Sequence, residues 1–415
     1  MGPGLSMKTE TNAKLPFSFI LFSLIGFITA QWFLFSNSEF LAQGIYRTPN
    51  LWMAAHFLIL SWAVMVVMGA MYQLVPVAFL TPIWSEKFGF FQFVVTAIGI
   101  IGLSVTFSIR PTFAIYPGIL AIVGILLFLF QMFMTIRKQE KKTIITGFVL
   151  SALVFFFLTI VAGGALAANF AFGVLIDHEP LFYSHLLFGI TGWFTLLIFG
   201  FSYKMVPMFS LSHGFKQRWA IKALAFYLIG MIILFASFWL EKMPVASAGW
   251  FILWLAFSLY VLDMHDIIKR RLKKKLDRPF QFSLVAIMLG WVLHGILFFT
   301  SILAPTDQKL WSLWVYLYIM MWIIFSILGY LYKIVPFLWW TYKYSAKVGK
   351  EKVPVLKDMI NEKMGVVLFL SFSLSMVGIG ISGFTSFEMG MQLFQGILLV
   401  TTILYSGTIF IVLKK

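Results

Sequence analysis

Twelve apolar runs follow one another along this chain, and they leave it few ways to fold. They lie at roughly 16–36, 51–77, 88–109, 113–136, 143–174, 180–208, 219–240, 244–263, 280–304, 310–338, 363–385 and 389–413. A run of about 20 apolar residues is long enough to cross a bilayer as a helix. Hydrophobic residues make up 61% of the chain and charged residues 11%, so the runs account for most of it. No loop between them is large enough to fold by itself. The expectation is an all-α integral membrane protein, with residues 1–415 forming a single transmembrane domain.

A pattern inside three of the runs subdivides that domain. Trp62, Gly69, Tyr72, Val75 and Pro76 stand at offsets 0, 7, 10, 13 and 14. The same residue types return at Trp193, Gly200, Tyr203, Val206 and Pro207, and again at Trp322, Gly329, Tyr332, Val335 and Pro336. The shifts are 131 and 129 residues. One unit is therefore used three times, over about 1–140, 141–275 and 276–415, with four spans in each and the pattern on the second. On a helix, offsets 0, 7, 10 and 14 share a face, and the Val-Pro pair is where the helix is expected to stop. Three such units imply pseudo-three-fold symmetry.

Charge orients the chain. With the N-terminus inside, all but four of the 31 Lys and Arg residues lie on the inner side, and the outer loops hold Arg47, Arg110, Lys242 and Lys309. That bias is the positive-inside rule and puts both termini in the cytoplasm. The net charge of +16 then needs no nucleic acid. The run KRRLKKKLDR (269–278) reads as a cytoplasmic retention loop that touches anionic lipid. Met1–Lys14 reads as a polar lead-in, with no cleavable signal. The absence of cysteine excludes disulfides, thiolate metal sites and thiol catalysis. Lys204 and Lys333, which follow the repeated tyrosine, are expected to snorkel to the cytoplasm.

Of six histidines, His56, His185 and His294 fall in hydrocarbon, where an ionisable side chain is a functional hypothesis by default. The bland alternative is a neutral imidazole bonded to a neighbouring helix or a backbone carbonyl, and His294 suits it best; otherwise His294 is a cofactor-binding residue that gives a single ligand to a second cofactor. His56 lies 20 residues before Pro76 and His185 lies 22 before Pro207, so both sit at nearly the same depth near the outer side. Two residues turn a side chain by about 200°, so the two imidazoles leave their helices on opposite sides and can face one another across a gap. Small residues are close at hand, in AGGALAANF (162–170) and at Gly189 and Gly192. Two imidazoles from two helices are how a bundle holds a haem. His178, between Asp177 and Glu179 in an outer turn, is the candidate copper ligand, and a solvated turn histidine is the alternative. His213 and His265 read as surface residues.

HFLILSWAVMVVMGAMYQLVP (56–76) and HLLFGITGWFTLLIFGFSYKMVPMF (185–209), on twelve spans in three units, resemble subunit I of the haem–copper oxidases, closest to its cbb3-type and nitric-oxide-reductase-like relatives. The resemblance covers the whole chain as architecture and the three patterned helices as motif. It implies a b-type haem, about one per chain, in a bacterial plasma membrane, and a separate cytochrome or quinol as electron donor. The oxidases carry His-x-His on the tenth helix, where this chain has Trp314 and Tyr316. They also carry paired copper-binding histidines on the seventh, where residues 219–240 have none. A binuclear oxygen-reducing centre is therefore not expected. The family's low-spin haem geometry, rotated by one repeat, becomes His56 with His185. The function expected is electron transfer or the handling of NO or O2, with a haem or copper transporter and a cofactor-free assembly subunit as alternatives.

Overall fold

A computed structural model describes residues 11–415, and among these residues it has twelve helices long and apolar enough to cross a membrane. They are α1 (Lys14–Ser36), α2 (Pro49–Phe79), α3 (Glu86–Ile109), α4 (Ile115–Ile136), α5 (Ile144–Phe172), α6 (Glu179–Ser210), α7 (Ala220–Leu240), α8 (Met243–Lys269), α9 (Arg278–Leu303), α10 (Gln308–Lys347), α11 (Glu362–Thr385) and α12 (Glu388–Lys414). Among the described residues there is no strand; one isolated bridge pairs Ser212 with Arg271. The chain is all-helical, with the architecture of a multi-pass membrane protein. The twelve apolar runs match these helices in number and place. Of the lead-in Met1–Lys14, residues 1–10 lie outside the described residues.

Each helix packs on the next, and α12 returns against α1, so the order closes on itself. The patterned helices are the most enclosed. In α2, α6 and α10, 67%, 83% and 72% of the most apolar stretch is buried, against at most 56% in any other helix. The repeated residues explain why. A Cβ on Gly69 would stand 2.7 Å from Cβ of Phe19 on α1, and one on Gly200 would stand 2.8 Å from Cβ of Phe148 on α5. Gly329 meets Ser283 of α9 just as closely. Helices approach this far only where a side chain is missing. Above the glycine, Trp62 stacks on Phe27 with centroids 4.4 Å apart, and Trp193 stacks on Phe156 at 4.2 Å. Trp322 instead covers Gly290, where a Cβ would lie 2.6 Å from its indole.

The Val-Pro pairs do not stop these helices. Pro76, Pro207 and Pro336 lie inside α2, α6 and α10, and the helical backbone continues to Phe79, Ser210 and Tyr344. Proline removes its own N–H and crowds the preceding turn, but it places no bar on the residues after it. The actual terminators of α2 and α6 are Leu80 and Leu211, each left-handed with φ 52°. The proline carbonyls close those ends, accepting from the N–H of Thr81 at 3.3 Å and of Ser212 at 3.0 Å. Each patterned helix also widens into a π-helical stretch around its tryptophan: Phe57–Val64, Leu187–Phe194 and Tyr318–Ile324. Such wide turns re-aim the side chains on either side of them.

Candidate functional site

α2 opens on Thr48, whose hydroxyl accepts the N–H of Leu51 at 3.3 Å, and His56 closes its first regular segment just before the π-helical stretch. The imidazole Nδ1 is 2.8 Å from the carbonyl oxygen of Trp52. A carbonyl only accepts, so the proton is on Nδ1 and Nε2 carries a bare lone pair. Phe107 of α3 lies beside the ring, with centroids 4.5 Å apart. Phe170, near the end of α5, packs on Trp52 at 5.0 Å and on Phe107 at 6.2 Å.

His185 is held in the same fashion by a different helix. Its Nδ1 donates to the carbonyl of Thr159 on α5 at 3.0 Å, which again leaves Nε2 as a lone pair. The ring lies on Gly163, where a Cβ would be 2.9 Å from Cε1. The small-residue stretch 162–170 is thus the bed of one imidazole at one end and, through Phe170, part of the wall around the other. Both rings are half-buried. Among the described residues, neither Nε2 has a hydrogen-bond partner.

His294 differs. It is fully enclosed, and its Nδ1 donates to the carbonyl of Gly290 at 2.8 Å. Its Nε2 faces the hydroxyls of Tyr227 on α7 and Tyr318 on α10, both at 3.4 Å. Tyr227 spends its proton on the carbonyl of Thr191 at 3.1 Å, so Tyr318 is the donor to the imidazole. Tyr318 in turn meets the Thr195 hydroxyl at 2.9 Å, and that hydroxyl accepts the indole N–H of Trp322 at 3.0 Å. The result is a polar chain that joins α6, α7, α9 and α10 and leaves His294 no free nitrogen.

His178 is exposed at the start of α6. Its flanking carboxylates have other partners. Glu179 forms a two-point ion pair with Arg47, one contact being Nη2 to Oε2 at 2.9 Å, and Asp177 accepts the N–H of Glu179 at 2.9 Å. Among the described residues, no three His, Cys, Asp or Glu side chains gather to hold a metal ion. His213 and His265 are exposed. Of the α10 residues at the oxidase ligand positions, Tyr316 accepts from Nε2 of Gln395 at 2.8 Å, and among the described residues Trp314 has no partner for its indole N–H.

Sequence reasoning did not find the Arg47–Glu179 pair, which also sets the guanidinium 4.4 Å above the Phe182 ring. The one available signal was that Arg47 is a rare cation at that end of the molecule. It did not find the tyrosine–threonine chain either, since Tyr227, Tyr318 and Thr195 look like ordinary spanning residues. Sequence reasoning also missed that Lys333 pairs with Asp277, whose other oxygen takes Lys273 at 2.6 Å.

No protein-family model matches the chain, and no curated protein matches it.

Proposed function

We propose that this chain is a haem-binding protein of a bacterial plasma membrane, related to haem–copper oxidase subunit I and built of three four-helix units about a pseudo-three-fold axis. Both termini would be cytoplasmic. His56 and His185 would hold one b-type haem between α2 and α6. The reading is supported by one observation above all. Each imidazole gives its Nδ1–H to a main-chain carbonyl, Trp52 in one case and Thr159 in the other, and keeps an unengaged Nε2 lone pair. Ligating histidines nearly always donate their second ring N–H in this way, which fixes the tautomer and the ring plane.

The bound haem would supply one-electron chemistry and, in a site that opens a ligand position, contact with a diatomic gas. The protein's own part is to orient and to exclude. Gly163 lets the His185 ring lie close against α5, while Phe107 packs beside the His56 ring. Arg47 and Glu179 tie the loop before α2 to the start of α6, the helix bearing the second ligand. Trp314 and Tyr316 of α10 and the histidine-free α7 argue against an oxygen-reducing centre of the oxidase kind. A separate cytochrome or quinol would deliver the electron.

The test is a dithionite-reduced minus oxidised spectrum of the detergent-purified chain, with a pyridine haemochrome for stoichiometry. Sharp low-spin b-type bands are expected, absent in H56A and in H185A and retained in H294A. A colourless protein that is nonetheless folded, or unchanged bands in H56A, would remove this reading.

A further inference from the structure

The end of the molecule opposite the histidines carries a feature that the proposed function does not use. Between the end of α8 and the start of α9 there is an open cleft of about 390 Å³, lined by Ile268, Arg271, Lys274, Lys275, Leu276, Arg278 and Gln281. Four of those side chains are cations and none is an acid.

Two of the other three basic residues of the run are already committed. Arg270 pairs with Asp266 at 2.9 Å and donates to the carbonyl of Gly214 at 3.0 Å. Lys273 and Lys333 together take both oxygens of Asp277. The loop backbone is pinned to the end of α6, where the N–H of Leu272 meets the carbonyl of Leu211 at 3.2 Å. Within this fixed frame, Arg271 reaches only the carbonyl of Ile268, at 3.0 Å. Among the described residues, Lys274, Lys275 and Arg278 have no carboxylate partner within ion-pair distance.

A second observation points the same way. Asp277 stands at the position that caps α9, yet its side chain accepts no N–H from the first turn. Its carboxylate is turned to the two lysines instead. The first-turn N–H groups of Arg278 and Phe280 are therefore left without a side-chain acceptor beside four cations, Pro279 having no N–H of its own. A helix N-terminus with free N–H groups favours an anion, and phosphate above all.

We propose that this cleft binds a phosphate-bearing anion, held by Arg271, Lys274, Lys275 and Arg278 at the open start of α9. Ile268 and Leu276 give the cleft an apolar floor, which suits a phosphate that carries a glycerol and acyl chains. The two sources of such an anion are the headgroup of an acidic phospholipid and free phosphate.

The experiment uses the full chain in neutral detergent, with bound molecules counted by native mass spectrometry. The probes are dioleoyl phosphatidylglycerol, dioleoyl phosphatidylcholine and inorganic phosphate. The variants are K274Q/R278Q and, as a control at the same end of the molecule, K138Q/K141Q. The expected result is one saturable phosphatidylglycerol per chain that phosphatidylcholine does not displace. Its affinity should fall roughly 30-fold in K274Q/R278Q, given what each basic residue contributes at an anionic surface, and hold in the control. Saturable inorganic phosphate without phosphatidylglycerol, lost in the same double variant, would assign the site to free phosphate. Equal binding by wild type and K274Q/R278Q, or no saturable binding of either anion, would overturn the proposal.

Discussion

A Cβ on Gly163 would lie 2.9 Å from Cε1 of His185, closer than two side-chain carbons pack. The glycine is therefore what allows α5 to offer both a flat bed for the imidazole and, one turn earlier, the Thr159 carbonyl that fixes its tautomer. In Gly163→Ala the ring must give by a few tenths of an ångström; in Gly163→Leu it is driven off the bed. If His185 is a haem ligand, G163L loses the low-spin bands while the yield of folded protein holds. G163A keeps the bands with a shifted maximum. Unchanged bands in G163L would mean that the haem is held elsewhere.

Arg47 and Glu179 are both exposed, so their pair is screened by solvent and is expected to contribute about 0.2–1 kcal/mol. R47Q should cost slightly more than E179Q, because it also removes the guanidinium from the Phe182 ring. The double variant should cost little more than R47Q alone, since one interaction is lost only once. Thermal unfolding in detergent at low and high salt measures all three, and raised salt should shrink the differences. Additive losses in the double variant would show that the two residues act separately.

Asp277 is outside the membrane-spanning segments and titrates between opposing influences. Burial raises its carboxyl, but hydrogen bonds from Lys273 and Lys333 outweigh burial and hold it below the usual carboxylate range. A carboxylate depressed in the folded state stabilises fully above its unfolded pKa, and that contribution fades as pH falls through the folded one. D277N is therefore less stable than wild type at pH 7, by about 1 kcal/mol for a pair of this exposure. The gap should begin to narrow at about pH 4, as the unfolded carboxyl becomes protonated, and close only below the depressed folded value. A gap that stayed constant between pH 7 and pH 3 would remove the charge from the explanation.

The helices were readable because a bilayer fixes their length, and the close contacts of α2, α6 and α10 were readable because glycine and tryptophan recur at fixed offsets. The partners were not. Phe27 and Phe156 are two among 48 phenylalanines, and nothing local marks them as the rings on which Trp62 and Trp193 stack. Proline misled, because the Val-Pro pair looks like a stop while the left-handed turn comes four residues later, at Leu80 and Leu211. His56 and His185 stood out as ionisable groups in hydrocarbon. What holds them is main-chain carbonyl, which every residue has and no sequence pattern announces. Arg47 and Glu179 are 132 positions apart, so only the packing of two loops brings them together. The π-helical widening falls on the repeated tryptophan each time, but a tryptophan in an apolar run does not by itself announce a wide turn.

Tyr318 separates the two kinds of histidine. Its hydroxyl donates to Nε2 of His294 and meets Thr195, inside a fully buried chain of hydrogen bonds. Tyr318→Phe leaves that Nε2 facing only Tyr227, whose proton is already given to Thr191. A buried acceptor left unpaired costs about 1–3 kcal/mol, so Y318F should unfold at a measurably lower temperature than wild type. Y227F should also be destabilised, through the lost bond to the Thr191 carbonyl. Neither change touches His56 or His185, so if those two hold a haem the visible spectrum should stay as in wild type. A variant that lost stability and kept its bands would place His294 in the framework that joins α6, α7, α9 and α10. If Y318F kept its stability and lost its bands, His294 would have to be returned to the ligand set.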